Sequence, residues 1–180
     1  PRALGETLIA LHDRALIEHD LYNQRVVLHP LVRTYVAENA VMLGEEWDRR
    51  HARYYVDLIK RYQVLPLERW PEIDVEWGNM YKGLDWCAER IERLWQASPA
   101  DLVADPAIDR SGLELPEEVR EDPDDFRLAR DYALALAHYA FWRHPPGSLR
   151  WLTVGAAAAL ALGDARDYGW MLINIGRYLF

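Results

Sequence analysis

The sequence predicts a mainly α protein with one small β-hairpin followed by helical hairpins, and three observations carry that prediction. Apolar residues recur at spacings of three and four through most of the chain, cut into helix-sized runs by Pro and Gly. The 180 residues include 8 Trp and 10 Tyr, amphipathic side chains large enough to fill the spaces between helices. A single pair of short apolar segments, over 14–19 and 25–28, flanks a polar stretch as the strands of a hairpin do.

Taken in order, Leu4, Leu8, Ile9 and Leu11 fall on one helical face that breaks near Asp13. The hairpin follows. Pro30 presets φ for a first helical turn, and Leu31, Val32, Tyr35, Val36 and Ala40 continue the helix. After Gly44 a stripe runs through Trp47, His51, Tyr54, Tyr55, Leu58, Ile59 and Tyr62 and stops before Pro66. A longer stripe joins Ile73, Trp77, Met80, Tyr81, Leu84, Cys87, Ile91 and Leu94, with Gly78 and Gly83 allowing a neighbour to come close. Between Ser98 and Asp125 the periodicity disappears. Four prolines punctuate that stretch, and Glu114, Glu117, Glu118, Glu121, Asp122, Asp124 and Asp125 crowd its end, which reads as a loop with a solvated acidic surface. Helices return over 126–143, 149–162 and 165–180, separated by Pro145-Pro146-Gly147 and by Gly163-Asp164. The expected organisation is 1–43, connecting helices over 44–97, a Pro-rich acidic loop over 98–124, and helical repeats over 125–180.

A formal net charge of -8 disfavours a general nucleic-acid binder, which needs clustered Lys and Arg. The lone Cys87 has no disulfide partner, which fits a reducing, cytoplasmic setting. No apolar run reaches the ~20 residues of a membrane helix. The chain opens without Met in what reads as the middle of a domain, as a piece of a longer protein does.

Two segments resemble known families. ALIEHDLYNQRVVLHPLVRTYVAEN, from Ala15 to Asn39, resembles the hairpin and last helix of the winged-helix domain in NB-ARC or AP-ATPase proteins, the STAND class of signalling NTPases. Their second strand ends in a Met-His-Asp-like motif. Leu28, His29 and Pro30 stand there in this chain, keeping the His and lacking the carboxylate. Glu76, Asn79, Leu84 and Trp86 match the helix that bacterial members place next. The last third resembles tetratricopeptide (TPR) repeats: Leu172, Ile175, Gly176 and Leu179 fit the first-helix spacing, and Leu134, Ala137, His138 and Phe141 fit it with His138 where a small residue is customary.

The resemblance implies that 1–43 is the C-terminal part of a winged-helix domain, a partial winged helix followed by hairpins of TPR-like α-solenoid type. It implies that His29 contacts the β-phosphate of ADP held by an upstream ATPase domain, so that ADP or ATP belongs to the parent and no cofactor to this chain. By residue chemistry alone, His29 is a partly buried strand-end histidine. The family spacing also offers Tyr132, Tyr139 and Trp142 from one helix and Trp170, Asn174 and Arg177 from the next as the lining of a peptide groove, aromatic planes and an Arg fork suiting an extended or acidic peptide. A core role is the alternative for these aromatics. The final helix, with Leu179 and Phe180 uncovered, is expected to self-associate or fray.

No catalytic constellation is present in the sequence. Gly78 and Gly83 have phosphate-loop spacing, yet Leu84 and Asp85 stand where Lys and Ser or Thr are required. Cys87 falls on an apolar helical face, and His12, His19 and His51 lack metal-ligand spacing. The expected function is regulatory and non-enzymatic: a winged helix reporting nucleotide state and repeats binding a partner protein. A second class is a DNA-reading winged helix with a helical ligand or dimerisation domain, although the charges over 1–36 cancel and the candidate recognition helix carries Glu6 and no internal Lys or Arg. A plain protein-binding scaffold is the third.

Overall fold

The computed structural model describes residues 2–20, 25–39, 44–62, 67–95, Glu117 and 123–179. Among the described residues the chain is mainly helical, with one two-stranded antiparallel sheet, and it divides into two compact units, Pro1–Glu46 and Trp47–Phe180.

The first unit contains α1 (Arg2–Asp13), β1 (Ile17–Asp20), β2 (Arg25–Leu28) and α2 (Pro30–Asn39). Ala15, at a positive φ of 54°, ends α1 in the left-handed turn usually given to Gly, and the N–H of Leu16 reaches back to Leu11 O at 3.0 Å. The strands pair Ile17 with Leu28 and His19 with Val26. Directly opposed residues share a face, so these four point the same way. Ile17 is the buried one, whereas Leu4, Ile9, Val26, Leu31 and Tyr35 are exposed and α2 buries no residue.

The second unit is built from α3 (Glu45–Tyr62), a single 3-10 turn at Leu67–Arg69, α4 (Pro71–Trp95), α5 (Asp124–Arg143), α6 (Ser148–Ala161) and α7 (Ala165–Leu179). The stretch expected as connecting helices shares one core with the later helices: Ala52, Val56 and Ile59 of α3 and Met80, Leu84 and Ile91 of α4 pack with α5 and α6. Arg49 pairs with Asp125 and Lys60 with Asp131, so α3 and α5 run in the same sense. The start of α4 meets the end of α5 through Asp74 and Tyr139, so these two run oppositely. A second core lies across α5, α6 and α7, where Ala133, Leu152, Ala156, Tyr168 and Met171 meet.

α6 is buried almost all round, and its small residues explain how it fits among three neighbours. Ala156 to Ala159 are fully buried, and a Cβ added at Gly155 would lie 2.3 Å from Ala133 Cβ. Gly83 plays the same part between α4 and its neighbours, with Tyr132 Oη 2.7 Å and Ala52 Cα 3.2 Å from its missing Cβ. Gly78 has open space instead, so the close approach expected there is not found.

Of the loop expected over 98–124, only Glu117, Pro123 and Asp124 are described, and Asp124 already opens α5; the rest of that expectation lies outside the described residues. Asp125 corrects the solvated reading of the acidic cluster. It is 7% exposed, with its carboxylate accepting from Arg49 Nε at 2.7 Å and Arg90 Nε at 2.9 Å. Burial raises its affinity for a proton, but the hydrogen bonds and charges of the two arginines outweigh burial and hold the carboxyl below its ordinary range.

Candidate functional site

A groove runs between α5 and α7. Leu134, Ala137, His138 and Phe141, spaced three, one and three apart, form the α5 wall. Trp170, Asn174 and Arg177 form the α7 wall, and the groove continues past Trp170 to Ile173, Gly169, Asp167 and Arg166. The opposite side of α7 is anchored by Tyr168, Met171 and Ile175 in the second core, which aims Trp170 and Ile173 outward. Trp170 is 46% exposed and Ile173 51%. Asn174 braces this wall by donating from its side chain to Trp170 O at 2.8 Å, one turn back.

Trp170, Asn174 and Arg177 line this groove together, while Tyr132 and Tyr139 do not. Tyr132 is fully buried and donates its hydroxyl to Met80 O at 3.0 Å. Tyr139 stacks on Trp77 with ring centres 5.2 Å apart and donates to Asp74 at 2.6 Å. Burial first, then the Asp74 contact, pushes its phenol pKa up. Seven residues separate the two tyrosines, two helical turns on the face turned to α4, whereas the groove is lined from the α5 face toward α7. Trp142 is 57% exposed at the end of α5, its ring edge-on to Phe141 at 5.3 Å. The α5 wall was visible in the sequence as Leu134, Ala137, His138 and Phe141, but as a packing motif. His138 is exposed, with its ring edge-on to Trp70 at 5.6 Å.

The charges of the groove are uneven. Asp167 has its proton affinity raised by burial and by the nearby Asp164 carboxylate, and it lies 3.5 Å from Arg130. Asp164 caps α7 by accepting the N–H of Asp167 at 3.0 Å. Arg166 and Arg177 take part in no ion pair among the described residues.

His29 lies in the first unit, half-buried. Its N–H donates to Leu16 O at 3.1 Å, extending the hairpin by one rung, and its Nδ1 accepts the N–H of Leu31 at 3.3 Å. The imidazole thus caps α2, a part that its strand-end position did not announce. An accepting Nδ1 leaves the neutral ring's proton on Nε2. Leu28, which precedes it, is 38% exposed.

Cys87 is buried, and burial, together with the Asp125 charge, raises its thiol pKa far out of the nucleophilic range. Among the described residues no group of three or more His, Cys, Asp or Glu side chains could hold a metal ion, and no helix is long and apolar enough to cross a membrane. No protein-family model, no curated protein and no solved structure matches the chain.

Proposed function

We propose that this chain is the regulatory, protein-binding part of a STAND-class signalling NTPase, its first unit a winged-helix portion reporting the nucleotide state of an upstream ATPase and its second a TPR-like array that binds a partner protein. The groove between α5 and α7 carries the proposal. Trp170 and Ile173 hold apolar surface in water beside Arg177, and core packing does not account for it. The packing order supports the array: α3 and α5 run in one sense, α4 runs against α5, and α6 packs back on α5 and against α4 and α7.

Selection of random peptides on the chain, followed by fluorescence anisotropy of the recovered sequences, tests the groove. Trp170→Ala is expected to weaken binding at least tenfold while leaving the melting curve in place, because removal of an exposed aromatic anchor costs binding rather than folding. Peptides that bind the variant as tightly as the wild type, or a selection that recovers none, would remove the basis for this reading.

The nucleotide limb rests on His29. In the parent, Nε2–H donates to a phosphate oxygen, a charged hydrogen bond worth roughly 1.5–3 kcal/mol. His29→Ala is expected to lower the stability of the first unit by about 1 kcal/mol through loss of the α2 cap and to speed ADP release from the parent. His29→Asp separates the two effects, since Asp is a good cap and cannot donate to phosphate. Faster ADP release with a stability near that of the wild type is expected. Unchanged release in His29→Asp would leave His29 as a cap and nothing more.

A further inference from the structure

The second unit holds α3 differently from its other helices. The backbones of α4, α5, α6 and α7 pack closely on one another, whereas α3 meets its neighbours chiefly through side chains. Arg49, Arg53 and Lys60 reach across to Asp125, Asp124 and Asp131 of α5, and Tyr55 donates to Glu76 of α4 at 3.2 Å. The backbones of α3 and α4 come together at Ala52, whose Cα lies 3.2 Å from where a Gly83 Cβ would stand. Ala52 meets Gly83 and Tyr55 meets Glu76, so these two helices run oppositely.

His51 precedes Ala52 and Lys82 precedes Gly83, so an imidazole and an ammonium group flank this crossing, and the Lys82 charge acts on the ring. His51 is half-buried, with its ring 4.8 Å from that of Tyr55. The surroundings favour the neutral ring: burial first and then Lys82 lower its pKa from the ordinary 6.5, against a weaker opposing pull from Asp48 on its own helix. Other carboxylates around α3 and α4 are engaged elsewhere. Glu76 accepts from Tyr55 and Asn79, and Asp85 is paired with Arg150 of α6. Asp124, Asp125 and Asp131 of α5 hold Arg53, Arg49 and Lys60. Ala52 and Gly83 have no long side chain to turn aside, so a second positive charge beside their contact is relieved by moving the helix and not by repacking it.

We infer that α3 is an acid-released helix: protonation of His51 opposite Lys82 loosens the seam between α3 and α4 while α4 to α7 stay packed. The stabilisation by neutral His51 is fully present above the unfolded value of about 6.5 and is lost as pH falls from there to the lower folded value. α3 is the first helix of its unit along the chain, so its release requires no other element to leave first.

Hydrogen exchange of the full chain, read by mass spectrometry at about pH 7.5 and about pH 5.5, tests the release, since carboxylates ordinarily titrate near ~4 and stay charged over this range. Rates are corrected for the intrinsic exchange of each amide at each pH. The amides of α3 are expected to lose about threefold in protection at the lower pH, the size of one half-exposed charge interaction, while those of α5 and α6 keep theirs. His51→Phe keeps a ring against Tyr55 and takes up no proton, so its α3 protection should be the same at both pH values. Lys82→Gln leaves the ring in place and should reduce the loss, whereas Asp48→Asn removes the opposing carboxylate and should enlarge it. Should His51→Phe fail to fold, Lys82→Gln decides by itself. Equal α3 protection at both pH values in the wild type, a loss shared by α5 and α6, or a loss retained in full by either His51→Phe or Lys82→Gln would overturn the inference.

Discussion

Gly155→Val is expected to cost the second unit about 4 kcal/mol or more, the range of severe overpacking in a closed core. A Cβ at Gly155 lies 2.3 Å from Ala133 Cβ and 3.0 Å from Met171 Cε. Met171 can turn its thioether away, but the Ala133 Cβ is fixed to the backbone of α5 and has no rotamer to change. α6 must therefore retreat from α5 by more than an ångström, and every contact along both cores loosens with it. Gly155→Ala asks for the same retreat at smaller scale, about 2 kcal/mol, even though Ala in a helix normally gains about 1 kcal/mol over Gly. The internal controls are Gly169→Ala and Gly176→Ala. Both glycines lie in α7 with open space at the missing Cβ, so the ordinary helix gain of roughly 0.5–1 kcal/mol is expected there. Thermal melting at about 4 °C per kcal/mol reads all four variants on one scale. If Gly155→Ala rises with the two controls, α5 and α6 are not in the close contact described.

What the sequence revealed and what it hid divide along one line, between punctuation and packing. Pro30 and Gly147 start helices, the second hairpin strand stands at 25–28 as read while the first begins at Ile17 and not at 14, and Ile73 to Leu94 forms one helix despite two glycines. These features depend on local geometry that each residue carries with it. The end of α1 is less legible because Ala15 holds the left-handed turn without a Gly to mark it.

The faces of α5 were hidden for a different reason. One side of it packs on α3 and α4 through Phe126, Tyr132 and Tyr139, and another packs on α6 and α7 through Ala133 and Ala137. A helix buried on two sides loses the apolar and polar contrast from which periodicity picks a face, so Tyr132 and Tyr139 read equally well as groove or core. α7 has one buried side, through Tyr168, Met171 and Ile175, and Trp170, Asn174 and Arg177, which the family resemblance grouped, line one furrow. That Arg166 and Arg177 make no close ion pair among the described residues could not be read from the sequence, because the pairs that hold the neighbouring carboxylates join Arg130 to Asp164 and Asp167 across the fold.

Asp125→Ala is expected to destabilise the second unit by about 3 kcal/mol, at the lower end for breaking a buried ion pair, because its arginine partners keep side-chain exposures of 20% and 22%. Two guanidinium groups converge on one carboxylate that is itself 8% exposed, and its removal leaves like charges facing one another at the junction of α3, α4 and α5. Sequence pattern had assigned Asp125 to a solvated acidic run, and its neighbour Asp124 keeps that character, half-exposed and paired with Arg53 and Arg127. Position in the helix separates them: one residue onward turns the side chain by about 100°, from the rim to the core. The sign of the pH effect follows from the lowered pKa. The carboxylate's extra stability is fully present above the unfolded Asp value of about 4 and is lost as pH falls through the lower folded value. Asp125→Asn keeps the shape and one acceptor but has no charge to lose, so its deficit relative to the wild type should be largest at neutral pH and should shrink as acid protonates Asp125. Urea unfolding of both proteins across that range measures the difference directly, and a deficit that stays constant down to pH values well below about 3 would assign the cost to altered packing and not to the charge of Asp125.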